Sequence, residues 1–307
     1  MLLGSGDYTY ELDQNWSVIM ENYDFKEVSG VDVDADDNLY VFNRGIQQLL
    51  VVDSEGVFVK SWKHTWINPH GIHIDSEGNI FLIDRDSHVV LKYSNDEILQ
   101  MTLGIYDQPS DTGYTLENRV VRQAAGPFNR PAGRVAIDKT GDIFVADGYG
   151  NARVHRFRSN GHHVSSWGSP GCGPGEFNLL HGVAIDTMGR LLVCDFNNDR
   201  IQVFDLDGHL LDIWEGLRRP TEVVIGLSGE CYVAEYQHRI SILDYQGRAL
   251  SRWGDQSSHK PGQFIAPHGL SVDSQGDIYV AEVIEDSCPD CKGTCDARRL
   301  QKFVRQH

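Results

Sequence analysis

The stretch His181-Gly-Val-Ala-Ile-Asp-Thr-Met-Gly-Arg-Leu-Leu-Val-Cys-Asp195 places two short apolar runs on either side of an Asp-Thr-Met-Gly turn. This pattern predicts a strand, a tight turn and a second strand. Five more copies begin at Gly30, His70, Ala132, Thr221 and His268. Successive copies begin 40 to 62 residues apart. The chain therefore repeats one β-rich unit six times.

Each copy is followed by the elements needed to complete a four-stranded sheet. A third strand is predicted after most copies, as in Arg200-Ile-Gln-Val-Phe204, and a fourth strand ends near Trp62, Trp167, Trp214 or Trp253. Six such sheets predict an all-β fold, a six-bladed β-propeller that forms a single domain over residues 1–307. The sixth copy ends after a third strand near Leu300 to Val304, so we expect an N-terminal strand around Tyr8 to Leu12 to close the last blade.

Composition excludes several classes of partner. The 307 residues carry 27 Lys+Arg against 44 Asp+Glu, a formal net charge of −17. Such a surface repels phosphate backbones and anionic lipids, so we expect no nucleic acid and no membrane partner. The N-terminal residues lack the basic and apolar regions of an export signal, and we therefore expect a cytoplasmic protein with mostly reduced thiols.

One register position in the repeat carries a histidine in alternate copies. The residues there are, in order, Ser29, His70, Ala132, His181, Thr221 and His268. This position begins the innermost strand of each blade, and alternate blades lie about 120° apart around the propeller axis. Three imidazoles would then converge while small residues leave room between them. Three histidines with an open fourth position predict a catalytic zinc site at His70, His181 and His268.

Loops around this ring supply candidate catalytic side chains. The innermost strand runs away from the histidine face and the second strand returns to it, so the loop after each second strand lies beside the ring. These loops contain Arg44, Arg85 and Tyr149. An arginine could hold an anionic or carbonyl group of a substrate, or pair with an Asp of a neighbouring blade. Tyr149 could transfer a proton near a cation or a metal.

A long link and a cysteine cluster lie on the same predicted face. Residues 104–130 join copies two and three, and an insertion of this length is typical of a lid. Residues 285–297 form an insertion in blade six that contains Cys288, Cys291 and Cys295. Its C-x-x-C-x-x-x-C spacing fits a second metal site or a redox pair, or else thiols without a special role.

The repeat itself resembles the NHL repeat, since Trp167-Gly, Pro174-Gly-Glu-Phe177 and His181 recur as Trp253-Gly, Pro261-Gly-Gln-Phe264 and His268. Taken alone, that resemblance implies a protein-binding scaffold. The Asn-Pro-His70-Gly, Leu-His181-Gly and Ala-Pro-His268-Gly segments resemble the zinc histidines of peptidyl-α-hydroxyglycine α-amidating lyases.

Further segments match the same lyases. Phe-Asn-Arg44-Gly and Asp-Gly-Tyr149-Gly resemble the segments that carry the family's active-site Arg and Tyr. The resemblance implies a six-bladed propeller that cleaves a carbinolamide into an amide and glyoxylate. In this chemistry zinc binds the substrate hydroxyl, Arg orients the carboxylate, and Tyr takes part in proton transfer.

The sequence departs from the lyase pattern at several positions. Ala266 stands where the animal enzymes have Met, Phe196 replaces an Arg, and Gly269 replaces the Asp that binds calcium. Cys194 has no counterpart for the partner with which the lyases form a disulfide. We therefore expect a lyase-like frame with an altered substrate pocket, zinc but no calcium, and a small-molecule or short-peptide substrate. A metal-dependent hydrolase or lactonase, and a non-catalytic NHL scaffold, remain alternatives.

Overall fold

The computed structural model describes residues 2–20, 22–23, 25–284 and 298–306. The predicted insertion at 285–297, with Cys288, Cys291 and Cys295, lies outside these residues. Within the described part the chain is almost entirely β, and its strands form the six sheets of a six-bladed β-propeller. The fold predicted from the repeat is thus confirmed.

The chain divides into two compact units, Met1–Thr65 with Val224–His307, and Trp66–Val223. The first unit contains β1 (Leu2–Ser5), β2 (Tyr8–Leu12), α1 (Gln14–Met20), β3 (Val28–Val33), β4 (Leu39–Asn43), β5 (Leu49–Val52), β6 (Phe58–Ser61), β22 (Cys231–Glu235), β23 (Arg239–Leu243), β24 (Ala249–Gly254), β25 (Pro267–Val272), β26 (Ile278–Glu282) and β27 (Leu300–Gln306). The order β3-β4-β5-β6 makes blade one, and β1-β2-β27-β26-β25 makes blade six.

The second unit contains blades two, three and four. Its strands are β7 (Pro69–Ile74), β8 (Ile80–Asp84), β9 (Val89–Tyr93), β10 (Leu99–Gly104), β11 (Pro131–Ile137), β12 (Ile143–Asp147), β13 (Arg153–Phe157), β14 (His163–Trp167), β15 (Ser169–Pro170), β16 (Glu176–Phe177), β17 (Leu180–Ile185), β18 (Leu191–Asp195), β19 (Arg200–Phe204) and β20 (Leu210–Trp214). The short 3-10 helix η1 (Phe196–Asn198) follows β18. Strand β21 (Pro220–Ile225) begins blade five, whose order is β21-β22-β23-β24.

The Asp-x-x-Gly turns predicted from sequence form for a local reason. In blade four, Asp186 accepts hydrogen bonds on one carboxylate oxygen from the backbone N–H groups of Met188 and Arg190, both at 2.9 Å. Gly189 adopts a φ of 76°, which a side chain disfavours. The Asp side chain thus closes the turn and the Gly lets the chain reverse.

Burial follows from the stacking of blades. Every residue of the six second strands is buried, whereas the fourth strands are largely exposed. Apolar clusters lie between neighbouring sheets, as where Phe81 and Ile83 of blade two pack with Val135 and Val145 of blade three. The inner strands are therefore held rigidly, and side chains at their starts have fixed positions.

The predicted closure of blade six is confirmed. Strand β2 pairs antiparallel with β27, with Thr9 opposite Gln306 and Leu12 opposite Phe303. The structure adds β1, which pairs with β2 as a fifth strand, and α1, whose Trp16 N–H donates to Asp13. Among the described residues, no helix has both the length and the apolar character needed to cross a membrane. The cytoplasmic location stays a prediction.

Candidate metal centre

The alternating register position is the second residue of every innermost strand, and its six occupants are buried: Ser29, His70, Ala132, His181, Thr221 and His268. In the three strands that bear a histidine, the pairing with the second strand shifts register at or directly after the histidine. Such bulges re-aim a side chain away from the regular alternation of a strand. The local backbone thus presents each imidazole differently from its strand neighbours.

His181 is held by the carbonyl at the equivalent position of the next blade. Its Nδ1 lies 2.7 Å from the backbone oxygen of Thr221. Because a carbonyl can only accept, Nδ1 carries the proton and Nε2 presents its lone pair. The Tyr149 hydroxyl lies 3.3 Å from that Nε2 and donates to it. The ring is therefore oriented and in the tautomer that a metal ligand requires.

The same unit places His70 beside this pair. The His70 ring centroid lies 5.0 Å from that of His181 and 5.0 Å from that of Tyr149, which it meets edge to face. His70, His181 and Tyr149 thus form one cluster at the starts of the innermost strands of blades two and four and the loop after β12.

His268, in the other unit, repeats the arrangement of His181. Its Nδ1 lies 2.7 Å from the backbone oxygen of Ser29, which occupies the equivalent position in blade one. The proton again lies on Nδ1, and Nε2 again presents a lone pair. Two of the three predicted ligands are therefore oriented by the same hydrogen bond to the neighbouring inner strand.

Arg85 places a positive charge against Tyr149. Its guanidinium carbon lies 4.7 Å from the Tyr149 ring centroid, and its Nε lies 3.0 Å from Asp86. Burial acts to lower the pKa of Arg85, but the electrostatic interactions and hydrogen bonds with Tyr149 and Asp86 outweigh it and raise the pKa. Arg85 therefore remains a cation beside the tyrosine.

Asp86 organises the polar side of this cluster. It accepts from Arg85, Arg130 and the Asn68 side chain, the last at 2.8 Å. Partial burial acts to raise the pKa of Asp86, but the two arginines lower it to about 2. Arg85 is thus paired with Asp86 in its own loop. Arg130, in the link between blades two and three, pairs with the same carboxylate, and sequence reasoning did not single it out.

Acidic residues that end the second strands fix the links leading to the histidines. Asp84 accepts the backbone N–H groups of Ile67 and Asn68, both at 2.8 Å, just before His70. Asp195 accepts from Asn178 ahead of His181. These carboxylates hold the backbone directly ahead of the histidine strands.

Glu282 ends the second strand of blade six, as Asp84 and Asp195 do in blades two and four, and holds the backbone ahead of His268. It accepts the N–H groups of Ile265 and Ala266 at 2.6 and 2.8 Å. Complete burial raises the pKa of Glu282 to about 7, although those two hydrogen bonds and Arg299 act to lower it.

Arg44 directly follows β4 and is half-buried. Its backbone N–H donates to the Glu27 carbonyl at 2.9 Å, which fixes the turn but not the side chain. The prediction that the Arg44 side chain holds a substrate group therefore stays a prediction.

The link at 104–130 contacts the loop that carries Tyr149. After β10 it forms neither helix nor strand as far as β11. Thr112 Oγ1 donates to the Gly150 carbonyl at 2.5 Å, and the Ala125 N–H donates to the Asn151 side chain at 3.2 Å. The link therefore lies against the candidate site within this unit, whereas lid movement stays a prediction.

Phe196, which the sequence predicted to alter the pocket, lies beside His181, and Arg219 extends the site beyond what sequence reasoning found. The Phe196 ring centroid lies 6.2 Å from that of His181, and the Arg219 guanidinium lies 5.6 Å from the Phe196 ring. Arg219 directly precedes Pro220, the first residue of an innermost strand. Arg219 could have been predicted from the sequence as a site residue, because it is a basic residue on a link between blades and such links lie on the histidine face.

Gly269, next to His268, occupies a tight space. A Cβ at this position would lie 3.0 Å from the Gly30 Cα and 3.3 Å from the Val31 nitrogen. The two inner strands therefore approach closely where the lyases carry their calcium ligand.

Histidines outside the alternating register have other contacts. His155 bridges Asp147 and Ser166, and His73 pairs with Arg134. Among the described cysteines, Cys194 and Cys231 are buried and Cys172 is exposed.

Comparisons with known proteins agree with this architecture. A family model described as a 6-bladed beta-propeller matches residues 132–214. Human NHL repeat-containing protein 3 is 30% identical over 96% of this chain and 84% of its own length. The Drosophila melanogaster peptidyl-alpha-hydroxyglycine alpha-amidating lyase 1 is 30% identical over 80% of this chain and 46% of its own length. A gluconolactonase structure from Xanthomonas campestris superposes with a TM-score of 0.65 at 12% identity, covering 98% of this chain and 91% of that one, which shows the fold alone.

The repeat, the six sheets and these matches define an NHL-repeat six-bladed β-propeller related to amidating lyases. Because the human relative is matched over most of its length, the chain belongs to the family of NHL repeat-containing protein 3.

Proposed function

We propose that this propeller is a zinc-dependent enzyme that cleaves the C–N bond of an α-hydroxylated amide. The observation that carries the proposal is the Tyr149 hydroxyl 3.3 Å from Nε2 of His181, a buried histidine whose Nδ1 is tied to a carbonyl. A proton-transfer group thus lies directly against a nitrogen suited to bind a metal.

The residues present fit zinc. The proposed ligands are His70, His181 and His268, each of which is buried within its own unit. Neutral imidazoles are good zinc ligands, and zinc-binding histidines usually donate their second ring N–H to a carbonyl or carboxylate. His181 and His268 both donate to a carbonyl in this way. Three ligands leave a fourth position for substrate.

The proposed reaction needs proton transfer and no redox step. The substrate hydroxyl loses its proton and becomes a carbonyl, the C–N bond breaks with its electron pair going to nitrogen, and that nitrogen gains a proton. The products are an amide and glyoxylate. When bound, zinc supplies a Lewis acid for the hydroxyl oxygen.

The remaining steps fall to side chains of this chain. Tyr149 moves the proton, and the Arg85 guanidinium above its ring stabilises negative charge that develops there. Arg44 holds the substrate carboxylate, as the lyase resemblance implies. Arg219 on Phe196 supplies positive charge where the resemblance expects an Arg at position 196.

The test is release of glyoxylate from benzoyl-α-hydroxyglycine above the uncatalysed rate. We expect zinc-loaded wild type to release glyoxylate and benzamide in equal amounts. His181→Ala should retain less than about one hundredth of that rate, and the exposed His162→Ala should match wild type. Hydrolysis of δ-gluconolactone without glyoxylate release would favour the lactonase alternative, and inactivity on both would favour a binding scaffold.

A further inference from the structure

A cavity of about 430 Å³ opens beside Tyr149 within the unit Trp66–Val223. Its walls come from three segments: 119–121 of the long link, 148–152 of the Tyr149 loop, and 170–179 around β15 and β16. Asn197 is a further lining residue. Small-molecule sites typically enclose roughly 300–1,000 Å³, so this cavity has the size of a ligand site.

The cavity lining combines apolar side chains with polar ones, among them Arg119. Val120, Val121 and Ala152 line one side, and Phe177 and Leu179 line the other. The apolar side chains suit an aliphatic or aromatic group.

Two amide side chains on the cavity lining, Asn178 and Asn197, add hydrogen-bonding capacity. Asn197 Nδ2 donates to Asn178 Oδ1 at 3.2 Å. Among the described residues, the Nδ2 donor of Asn178 and the Oδ1 acceptor of Asn197 remain available. One donor and one acceptor side by side complement an amide group, which needs both.

Tyr149 connects the cavity to the candidate metal centre, because its side chain both lines the cavity and donates to His181. A substrate whose reacting carbon lies at Tyr149 can extend its other end along these walls.

We infer that this cavity binds the acyl part of the substrate, an apolar group joined through an amide, and thereby selects aromatic and aliphatic acyl groups over acetyl. The inference rests on the proposed function for the identity of the reacting group. Selectivity arises because burying an apolar acyl group here removes its surface from water, whereas acetyl leaves the walls uncovered.

Cys172 offers a reporter that does not depend on turnover. Its exposed thiol lies on the cavity lining. Benzoylglycine and acetylglycine lack the α-hydroxyl group and are not cleaved, so they serve as binding probes. We expect benzoylglycine to slow iodoacetamide labelling of Cys172 several-fold, and acetylglycine at the same concentration to leave it unchanged. Mass spectrometry of the peptide containing Cys172 separates this thiol from the other cysteines.

A pair of matched variants localises the effect. Val120 is half exposed and lines the cavity, so Val120→Trp fills it with little risk to folding. Val164 is a partly exposed valine on β14 that does not line the cavity. We expect Val120→Trp to abolish protection by benzoylglycine and Val164→Trp to retain it. With benzoyl-α-hydroxyglycine, Val120→Trp should raise KM about tenfold, whereas Val164→Trp should leave KM at the wild-type value.

The outcomes separate the two proposals. No protection by benzoylglycine, or equal protection by both probes, overturns the acyl cavity even if glyoxylate is released. Protection that Val120→Trp removes, in a protein that releases no glyoxylate, supports the cavity and overturns the proposed lyase function.

Discussion

His181 Nδ1 donates a 2.7 Å hydrogen bond to the backbone carbonyl of Thr221, the residue at the same register position in the next blade. His268 makes the same bond to Ser29. Two of the small residues that alternate with the histidines, Thr221 and Ser29, thus supply more than space, because their carbonyls select the imidazole tautomer. Substitutions that keep this backbone in place should retain the orientation of the neighbouring histidine.

The first prediction concerns metal content. We expect about one zinc per chain after dialysis, because three buried histidines supply ligands and leave one position open. Elemental analysis should show stoichiometric zinc in wild type and in His162→Ala, and loss in His70→Ala, His181→Ala and His268→Ala. Full retention by any one of the three variants would remove that histidine from the site.

Tyr149→Phe should lower kcat by about 100- to 10,000-fold, the usual range for loss of a positioned proton-transfer group. The substitution keeps the ring that contacts His70, His181 and Arg85 and removes only the hydroxyl. Zinc content and melting temperature should therefore stay unchanged. The half-exposed Tyr245→Phe serves as the control, and equal kcat values in the two variants would exclude Tyr149 from proton transfer.

Arg44→Ala should lower kcat/KM by about 100- to 1000-fold, equivalent to about 2.7–4 kcal/mol of transition-state stabilisation. The backbone N–H of Arg44 holds the turn through its bond to Glu27, so the turn should survive the substitution. Arg44→Lys should recover part of the lost kcat/KM. Arg248→Ala, at an exposed turn, should keep the wild-type kcat/KM. Wild-type kinetics in Arg44→Ala would show that another group holds the substrate.

Glu282 should make stability depend on pH. Burial raises its folded-state pKa from 4.5 to about 7, so the folded state binds the proton more tightly than the unfolded state. Its contribution is fully present below pH 4.5 and is lost as pH rises through about 7. At about 1.4 kcal/mol per pKa unit, the loss amounts to about 3 kcal/mol.

Chemical denaturation at several pH values measures this contribution. Glu282→Gln can still accept from Ile265 and Ala266 without carrying a charge, so its unfolding free energy should fall less over that interval than that of wild type. The exposed Glu55→Gln should follow wild type. Parallel pH curves for all three proteins would contradict a raised pKa at Glu282.

Calcium should not affect folding. Gly269 has no carboxylate to bind calcium, and a Cβ at its position would lie 3.0 Å from the Gly30 Cα, tighter than most Cβ contacts. We expect the same melting temperature with a calcium-selective chelator and with added calcium. A drop of several degrees that calcium reverses would show that other oxygens bind the ion.

The sequence predicted the blades well because their signals are local. Each Asp-x-x-Gly turn is closed by its own side chain, as at Asp186, and the strands on either side are short and apolar. The pairing of β2 with β27 could also be predicted from the sequence, because a sixth sheet that lacks one strand leaves an edge to be covered. Strand β1 and helix α1 were not predicted, because no repeat copy contains them.

The alternating histidines were visible from register alone, but their surroundings were not. Arg130 reaches Asp86 across 44 positions, and Arg219 stacks on Phe196 from a different link. Such contacts depend on how loops of different length fold over the blade ends, which carries no periodic signal. The cavity beside Tyr149 has the same origin, because three segments distant in sequence build its walls.

The pairing of β2 with β27 also has a consequence for synthesis of the chain. Thr9 is synthesised long before its partner Gln306. Until then β2 has no strand on that side, and blade six cannot be completed. We therefore expect nascent chains that stop before β27 to keep the N-terminal strand open to proteases and chaperones, even where earlier blades have already folded.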